Sequence, residues 1–261
     1  GAFNELGCAA PYSIAKMDNG LFWLGRDRRG QGIVYRANGY AGQRISTHAV
    51  EWQIQQYSDL TDAVAYTYQQ DGHSFYVLIF PTANTTWVYD VATQAWHERA
   101  GWDNGSFTRH RSNCQMSFGN DVIVGDYQNG NIYSFDLEDY SDNGSIQKWL
   151  RSWRALPTGQ NDLKRTAQHS LQLDIESGTG LNLGQGSDPE VMLRWSDDGG
   201  HTWSNEHWAQ IGKIGEYYRR VFWRRLGMTV KLRDRVYELS GTDPVKISIM
   251  GAELILSPTN A

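Results

Sequence analysis

Three segments of this chain obey one grammar: an apolar strand, a turn rich in Gly, Asn or Pro, then an aromatic strand. Leu21-Phe22-Trp23-Leu24 leads through Gly25 and Gly30 to Ile33-Val34-Tyr35. Ser74–Phe80 leads through Pro81 and Asn84 to Trp87-Val88-Tyr89-Asp90-Val91. Asp121–Val124 leads through Gly125, Asn129 and Gly130 to Ile132–Leu137, where Ser134-Phe135-Asp136-Leu137 echoes Val88-Tyr89-Asp90-Val91. Alignment on Tyr35, Tyr89 and Phe135 gives steps of 54 and 46 residues. A period near 50 built on paired strands is the repeat length of propeller blades. Each blade is a small sheet that cannot bury both faces alone, so neighbours stack around an axis.

Thr86–Trp96 resembles a kelch-type blade, with a Tyr-Asp strand end, a polar turn and then a Trp. An ordinary β-meander is the plainer alternative. Composition agrees with either: 11 Trp, 14 Tyr and 27 Gly against only 6 Pro favour strands joined by tight turns. The only 3.6-residue periodicity is a short helix near Thr47–Gln56. No run approaches the ~18 apolar residues of a membrane helix, so no membrane span is expected. The chain opens at Gly1 in strand-like text without a signal peptide, which reads as a fragment or a processed product. Cys8 and Cys114 are expected to be buried free thiols rather than a bridge.

The text changes near Ser145. Asp142-Asn143-Gly144-Ser145 is a strong turn, and Ile146–Leu156 mixes Trp149 and Trp153 with Arg151 and Arg154. We therefore expect propeller-like blades over 1–145 and a β-rich second half over 146–261, either a β-sandwich or further irregular blades. Strands are predicted at Ser170–Ile175, Val191–Trp195, Tyr217–Trp223, Met228–Leu239 and Val245–Leu256, with a Gly-rich loop over Gly178–Pro189. The fold class is all-β.

Ser196-Asp197-Asp198-Gly199-Gly200-His201-Thr202-Trp203 matches the Asp-box, S-x-D-x-G-x-T-W. Ser196 and Asp198 are suited to bond turn amides, Gly200 permits positive φ, and Trp203 packs back over the hairpin beside Thr202. This is a structural turn and carries no chemistry by itself. Boxes of this kind occur in sialidases, but a sialidase needs an arginine cluster, a Tyr nucleophile and a carboxylate. Its Arg-Ile-Pro motif is absent here; the nearest text is Arg44-Ile45-Ser46.

Charge is concentrated in one place. Residues 211–235 hold eight basic and two acidic side chains, a surplus of six, while the whole chain has a net charge of −5. Arg219, Arg220, Arg224, Arg225, Lys231, Arg233 and Arg235 form the candidate interaction face. Alternation over Met228–Asp234 places Met228, Val230 and Leu232 on a buried side and Thr229, Lys231 and Arg233 on a basic side. Two functional readings stand, contact with DNA phosphates or with an acidic neighbouring subunit, beside the bland one of a solvated face. Arginine outnumbers lysine, which suits bidentate interface contacts.

The loop with Asp136, Glu138, Asp139, Asp142 and Asn143 lacks EF-hand spacing and reads as solvated. The seven histidines show no zinc spacing. No phosphate loop, dinucleotide fingerprint or nucleophile elbow is present. No catalytic residues, metal or cofactor are expected.

Several stretches carry a wider likeness: Gly7-Cys8-Ala9-Ala10-Pro11-Tyr12-Ser13, Asp18–Gly25, Val34–Tyr40, Arg44–Glu51, Leu193–Ser204 and Arg224–Gly227. Together they resemble the packaged-DNA stabilisation proteins of short-tailed phages, also called tail accessory or tail hub proteins. The resemblance implies a non-enzymatic virion protein. It would assemble in the bacterial cytoplasm into a homo-oligomeric ring below the portal, close or extend the DNA channel and dock tail proteins. Family members are longer, with the additional part expected before Gly1. The alternatives are a glycan-binding or sialidase-like β-propeller and a host kelch-like scaffold.

Overall fold

The computed structural model describes residues 6–27, 30–155, 165–229 and 235–259. The chain divides into two compact units, Gly1–Asp136 and Leu137–Ala261.

The first unit is a run of antiparallel meanders. β1 (Ala15–Met17), β2 (Gly20–Asp27), β3 (Gly30–Asn38) and β4 (Ala41–Arg44) form one sheet in sequence order. Helix α1 (His48–Gln55) follows, with the Thr47 hydroxyl accepting from the Val50 N–H as an N-cap. β5 (Val64–Gln70), β6 (His73–Phe80), β7 (Thr85–Asp90) and β8 (Ala95–Glu98) form the second sheet. The hairpin of β9 (Ala100–Asp103) and β10 (Ser106–Arg109) precedes a three-stranded sheet of β11 (Ser112–Phe118), β12 (Asp121–Asp126) and β13 (Ile132–Ser134). The repeated grammar of the sequence thus corresponds to the second and third strands of each sheet: β2–β3, β6–β7 and β12–β13.

The run Tyr76–Phe80 is apolar at every position because β6 is covered on both faces. Tyr76, Leu78 and Phe80 join Phe22, Leu24, Val34 and the helix residues Val50 and Ile54 in one core. Val77 and Ile79 join Tyr66, Tyr68, Val88 and Val122 in a second. Burial of each such side chain is worth about 1.5–3 kcal/mol. Successive sheets therefore stack face to face through the middle one, as blades do. The strand-end aspartate of the kelch-like segment has a visible role. Asp90 accepts from the Ala92 N–H at 2.9 Å, the Thr93 hydroxyl at 2.7 Å and His73 Nδ1 at 2.8 Å, which closes the β7–β8 turn. Trp96 then donates its indole N–H to the carbonyl of Ile45, the residue after β4, at 2.9 Å.

The second unit is a sandwich. One sheet has the order β14 (Trp149–Arg154), β19 (Val236–Gly241), β16 (Glu190–Ser196), β17 (His207–Gln210). The other has the order β18 (Val221–Met228), β15 (Thr166–Ile175), β20 (Ile249–Pro258). Leu171, Leu173, Val221 and Trp223 from the second sheet meet Val191, Leu193, Tyr237 and Leu239 from the first. Of the two alternatives for this half, the sandwich is the one formed.

Some expectations are corrected. Both thiols are free and exposed: Cys114 falls on the open side of β11, and Cys8 precedes the first sheet. Val245–Leu256 is strand only from Ile249, and Ile132–Leu137 only to Ser134. Met228 is 46% exposed and Thr229 is 1% exposed, the reverse of the expected sides. β18 ends at Met228, and a register shift between Gln168 and Ser170 offsets the alternation ahead of it. Val230, Leu232, Lys231 and Arg233 lie outside the described residues.

Candidate docking surfaces

The Asp-box closes the β16–β17 hairpin. Asp198 Oδ1 accepts from the Ser196 hydroxyl at 2.6 Å and from the His201 and Thr202 N–H groups at 2.9 and 2.8 Å, while Oδ2 takes the Thr202 hydroxyl at 2.6 Å. Ser196 Oγ accepts in turn from the Gly200 N–H at 2.8 Å, with Gly200 at φ 104°. These donors, the Ser196 and Thr202 hydroxyls first, hold the Asp198 carboxyl well below the usual range. Trp203 lies under the Arg194 guanidinium, 4.7 Å from ring centre to Cζ. The Ser196, Asp198 and Thr202 side chains are thus all engaged within their own turn.

The predicted basic face divides. Arg235 is an interior residue, 3% exposed, clamped on Asp197 and on the Leu226 carbonyl. Arg219, Arg220, Arg224 and Arg225 are exposed. In β18 the alternation buries Val221 and Trp223 and turns Phe222 and Arg224 outward. The bulge opposite Gln168 and Ser170 then adds one outward residue, Arg225, at φ 58°. Two consecutive arginines reach solvent on an edge strand for this reason.

The aromatic content of the same flank was not anticipated from the sequence. Tyr217 is 76% exposed, Tyr218 82% and Trp208 58%. Arg224 lies 4.6 Å over the Phe222 ring, and Arg219 donates to the Gln210 side chain. Trp208, Tyr218, Arg219, Arg220, Phe222 and Glu190 line an open depression of about 620 Å³. β17 and β18 are edge strands of opposite sheets, so the depression lies along one open side of the sandwich. The sequence signal was available: His207-Trp208 and Tyr217-Tyr218 are aromatic pairs that strand alternation or a tight turn cannot fully bury.

In the first unit, a hydroxyl does meet an imidazole. Ser112 N–H donates to His110 Nδ1 at 3.2 Å, which makes that nitrogen the acceptor. Ser112 Oγ then donates to it at 2.7 Å and receives the Tyr66 hydroxyl at 2.5 Å. Burial, followed by the charges of Arg99 and Arg111, pushes His110 down to about 3. Ser112 is 1% exposed and its oxygen is already occupied by Tyr66, so this chain of bonds serves the core rather than an attacking nucleophile.

Two family descriptions match the chain. Bacteriophage P22 Gp10, beta-propeller, matches residues 1–140, and Bacteriophage P22 Gp10, beta-sandwich, matches residues 148–256. No curated protein matches it.

Proposed function

The chain belongs to the bacteriophage P22 Gp10 family of phage tail structural proteins, and from that premise we propose that it is a non-enzymatic docking subunit of the virion tail. In this reading it works below the portal, where it closes or extends the DNA channel and holds tail components. The blade unit supplies stacked, rigid sheets, and the sandwich presents the contact surface. Full-length copies form a ring, and assembly takes place in the host cytoplasm.

One observation carries the docking assignment: exposed Trp208, Tyr217, Tyr218 and Phe222 interleave with Arg219, Arg220, Arg224 and Arg225 on one flank. Trp, Tyr and Arg dominate the energetics of protein interfaces, because they bury much area and pair with carboxylates in fixed geometry. This favours an acidic protein neighbour over DNA phosphates, which need charge but not aromatics. The test is the triple variant Arg219→Glu, Arg220→Glu, Arg224→Glu, assayed against purified portal-side tail protein and against duplex DNA. The reading requires protein association to fall by about tenfold or more, with weak DNA affinity left unchanged. Loss of DNA affinity alone, with a flattened salt dependence, would assign the flank to nucleic acid instead.

A second reading has one supporting observation. Arg219, Arg220, Tyr218 and Glu190 share the depression, the residue types a sialidase uses. The depression is open rather than deep, and Arg219 is bonded to Gln210. Turnover of a fluorogenic sialoside, abolished by Tyr218→Phe, would establish the enzymatic reading and overturn the structural one.

A further inference from the structure

The opposite open side of the sandwich differs in chemistry. A cleft of about 690 Å³ runs between β14 and β20, the other two edge strands. Alternate residues of β14 face it: Trp149, Arg151 and Trp153. Leu239 and Ile249 add apolar wall. β14 is hydrogen-bonded to β19 only, so its second edge has no strand partner among the described residues.

Two donors on residues lining this cleft lack partners. The Trp149 indole N–H is buried, with Nε1 packed over Gly241, and has no acceptor among the described residues. A buried donor left unpaired is costly, so a ligand that opens this contact and supplies an acceptor recovers that cost. Arg151, on the same face one pleat along, bonds only the Leu150 carbonyl, at 3.3 Å, and no carboxylate pairs with it among the described residues. Asp243, the acid in the lining, is held by the Glu190 N–H at 2.9 Å. An unpaired cation and an unpaired N–H beside apolar walls are complementary to a carboxylate carried on an aliphatic chain. An open strand edge alongside them is complementary to polypeptide backbone.

We propose that this cleft takes an extended segment of a partner protein. The segment adds as a strand along β14, with a Glu or Asp carboxylate on Arg151 and an acceptor for the Trp149 indole, and with aliphatic side chains between the sheets on either side. The inward arginine has a second consequence. It disfavours pairing between two identical apolar edges, so the edge selects an acidic strand over a copy of itself. This site is separate from the aromatic–arginine flank, and its test does not depend on that assignment.

The experiment uses the full chain and an array of nine-residue peptides with Val or Leu at alternate positions and Glu, Gln or Lys at the centre. Glu-centred peptides are expected to bind at least about tenfold more tightly than their Gln or Lys counterparts. Arg151→Glu, a change at an exposed position, should invert the preference toward Lys. A 15N-labelled chain should show the indole resonance that Trp149→Phe removes moving downfield on binding. The proposal is overturned if no array member binds, if Glu and Gln peptides bind equally, or if Arg151→Glu leaves the preference intact. Competition by octanoate as strong as by the peptide would also overturn it, since a fatty acid has no backbone to pair.

Discussion

Arg235 grips Asp197 with both arms of its guanidinium: Nε reaches Oδ1 at 2.6 Å and Nη2 reaches Oδ2 at 2.7 Å. The arginine side chain is 2% exposed and the aspartate 18%. Nη1 bonds Leu226 O at 2.6 Å, so one side chain ties the Asp-box hairpin to the end of β18 from the start of β19. Trp195 and Tyr237 flank the charge at 5.4 and 6.0 Å.

Removal of one partner leaves the other buried and uncompensated. Arg235→Ala should cost about 3–5 kcal/mol, read as a lower denaturant midpoint. Arg235→Lys should restore little, because an ammonium cannot fork. Arg220→Ala, on the exposed flank, should stay within about 0.5 kcal/mol. Equal costs at the two positions would show that Arg235 is not clamped.

Asp198 gives the hairpin an acid sensitivity. Its folded pKa is depressed, so the stabilisation is complete above the ordinary aspartate value near 3.9 and is lost as pH falls toward the depressed one. Asp198→Asn should lower stability at neutral pH and flatten the dependence below about pH 4. Melting curves across that window decide it.

His110 acts over a higher window. The folded chain holds it neutral down to about 3, whereas the unfolded chain protonates it near 6.5. The unfolded state therefore binds the extra proton, and stability declines from pH 6.5 toward 3. His110→Gln should reduce that decline in thermal melts. An unchanged slope would remove His110 as its source.

Gly25 permits a close approach in the first sheet. A Cβ there would stand 2.4 Å from Tyr35 Cε2 and 3.0 Å from Ile33 O. Tyr35 is stacked on Trp23 at 5.6 Å and cannot readily yield. Gly25→Ala should cost about 1–3 kcal/mol, and Gly25→Ala with Tyr35→Leu should recover part of it. Circular dichroism melts of both variants test the coupling.

Much of the fold was legible because local chemistry and tertiary environment agreed. β6 has no polar residue from Phe75 to Phe80 since both of its faces are covered, and Asn143-Gly144 sits at positive φ in the turn its sequence announces. β14 carries no clear strand signal, because its cleft-facing alternation of Trp149, Arg151 and Trp153 places a cation where a period-2 pattern expects an apolar residue. β9, β10 and β17 have only four residues each, too few for a period to register. Exposure of the candidate basic face was half legible. The charge surplus marks Arg219, Arg220, Arg224 and Arg225, which do reach solvent, but Arg235 reads like its neighbours until Asp197, 38 residues away, is seen to enclose it. Arg225 reaches solvent through a bulge for which β18 itself carries no obvious signal.

The strand order also sets a schedule for synthesis. Among the described residues, every sheet of the first unit pairs only strands adjacent in sequence, so each can form as soon as it leaves the ribosome. The sandwich pairs Trp149 with Gly241 and Thr166 with Pro258. Its loop-closure cost is met only when the nascent chain has delivered β20. A ribosome paused before residue 249 would thus carry folded blades and an unclosed second half, with the apolar faces of β15 and β16 open to chaperones or to premature partners.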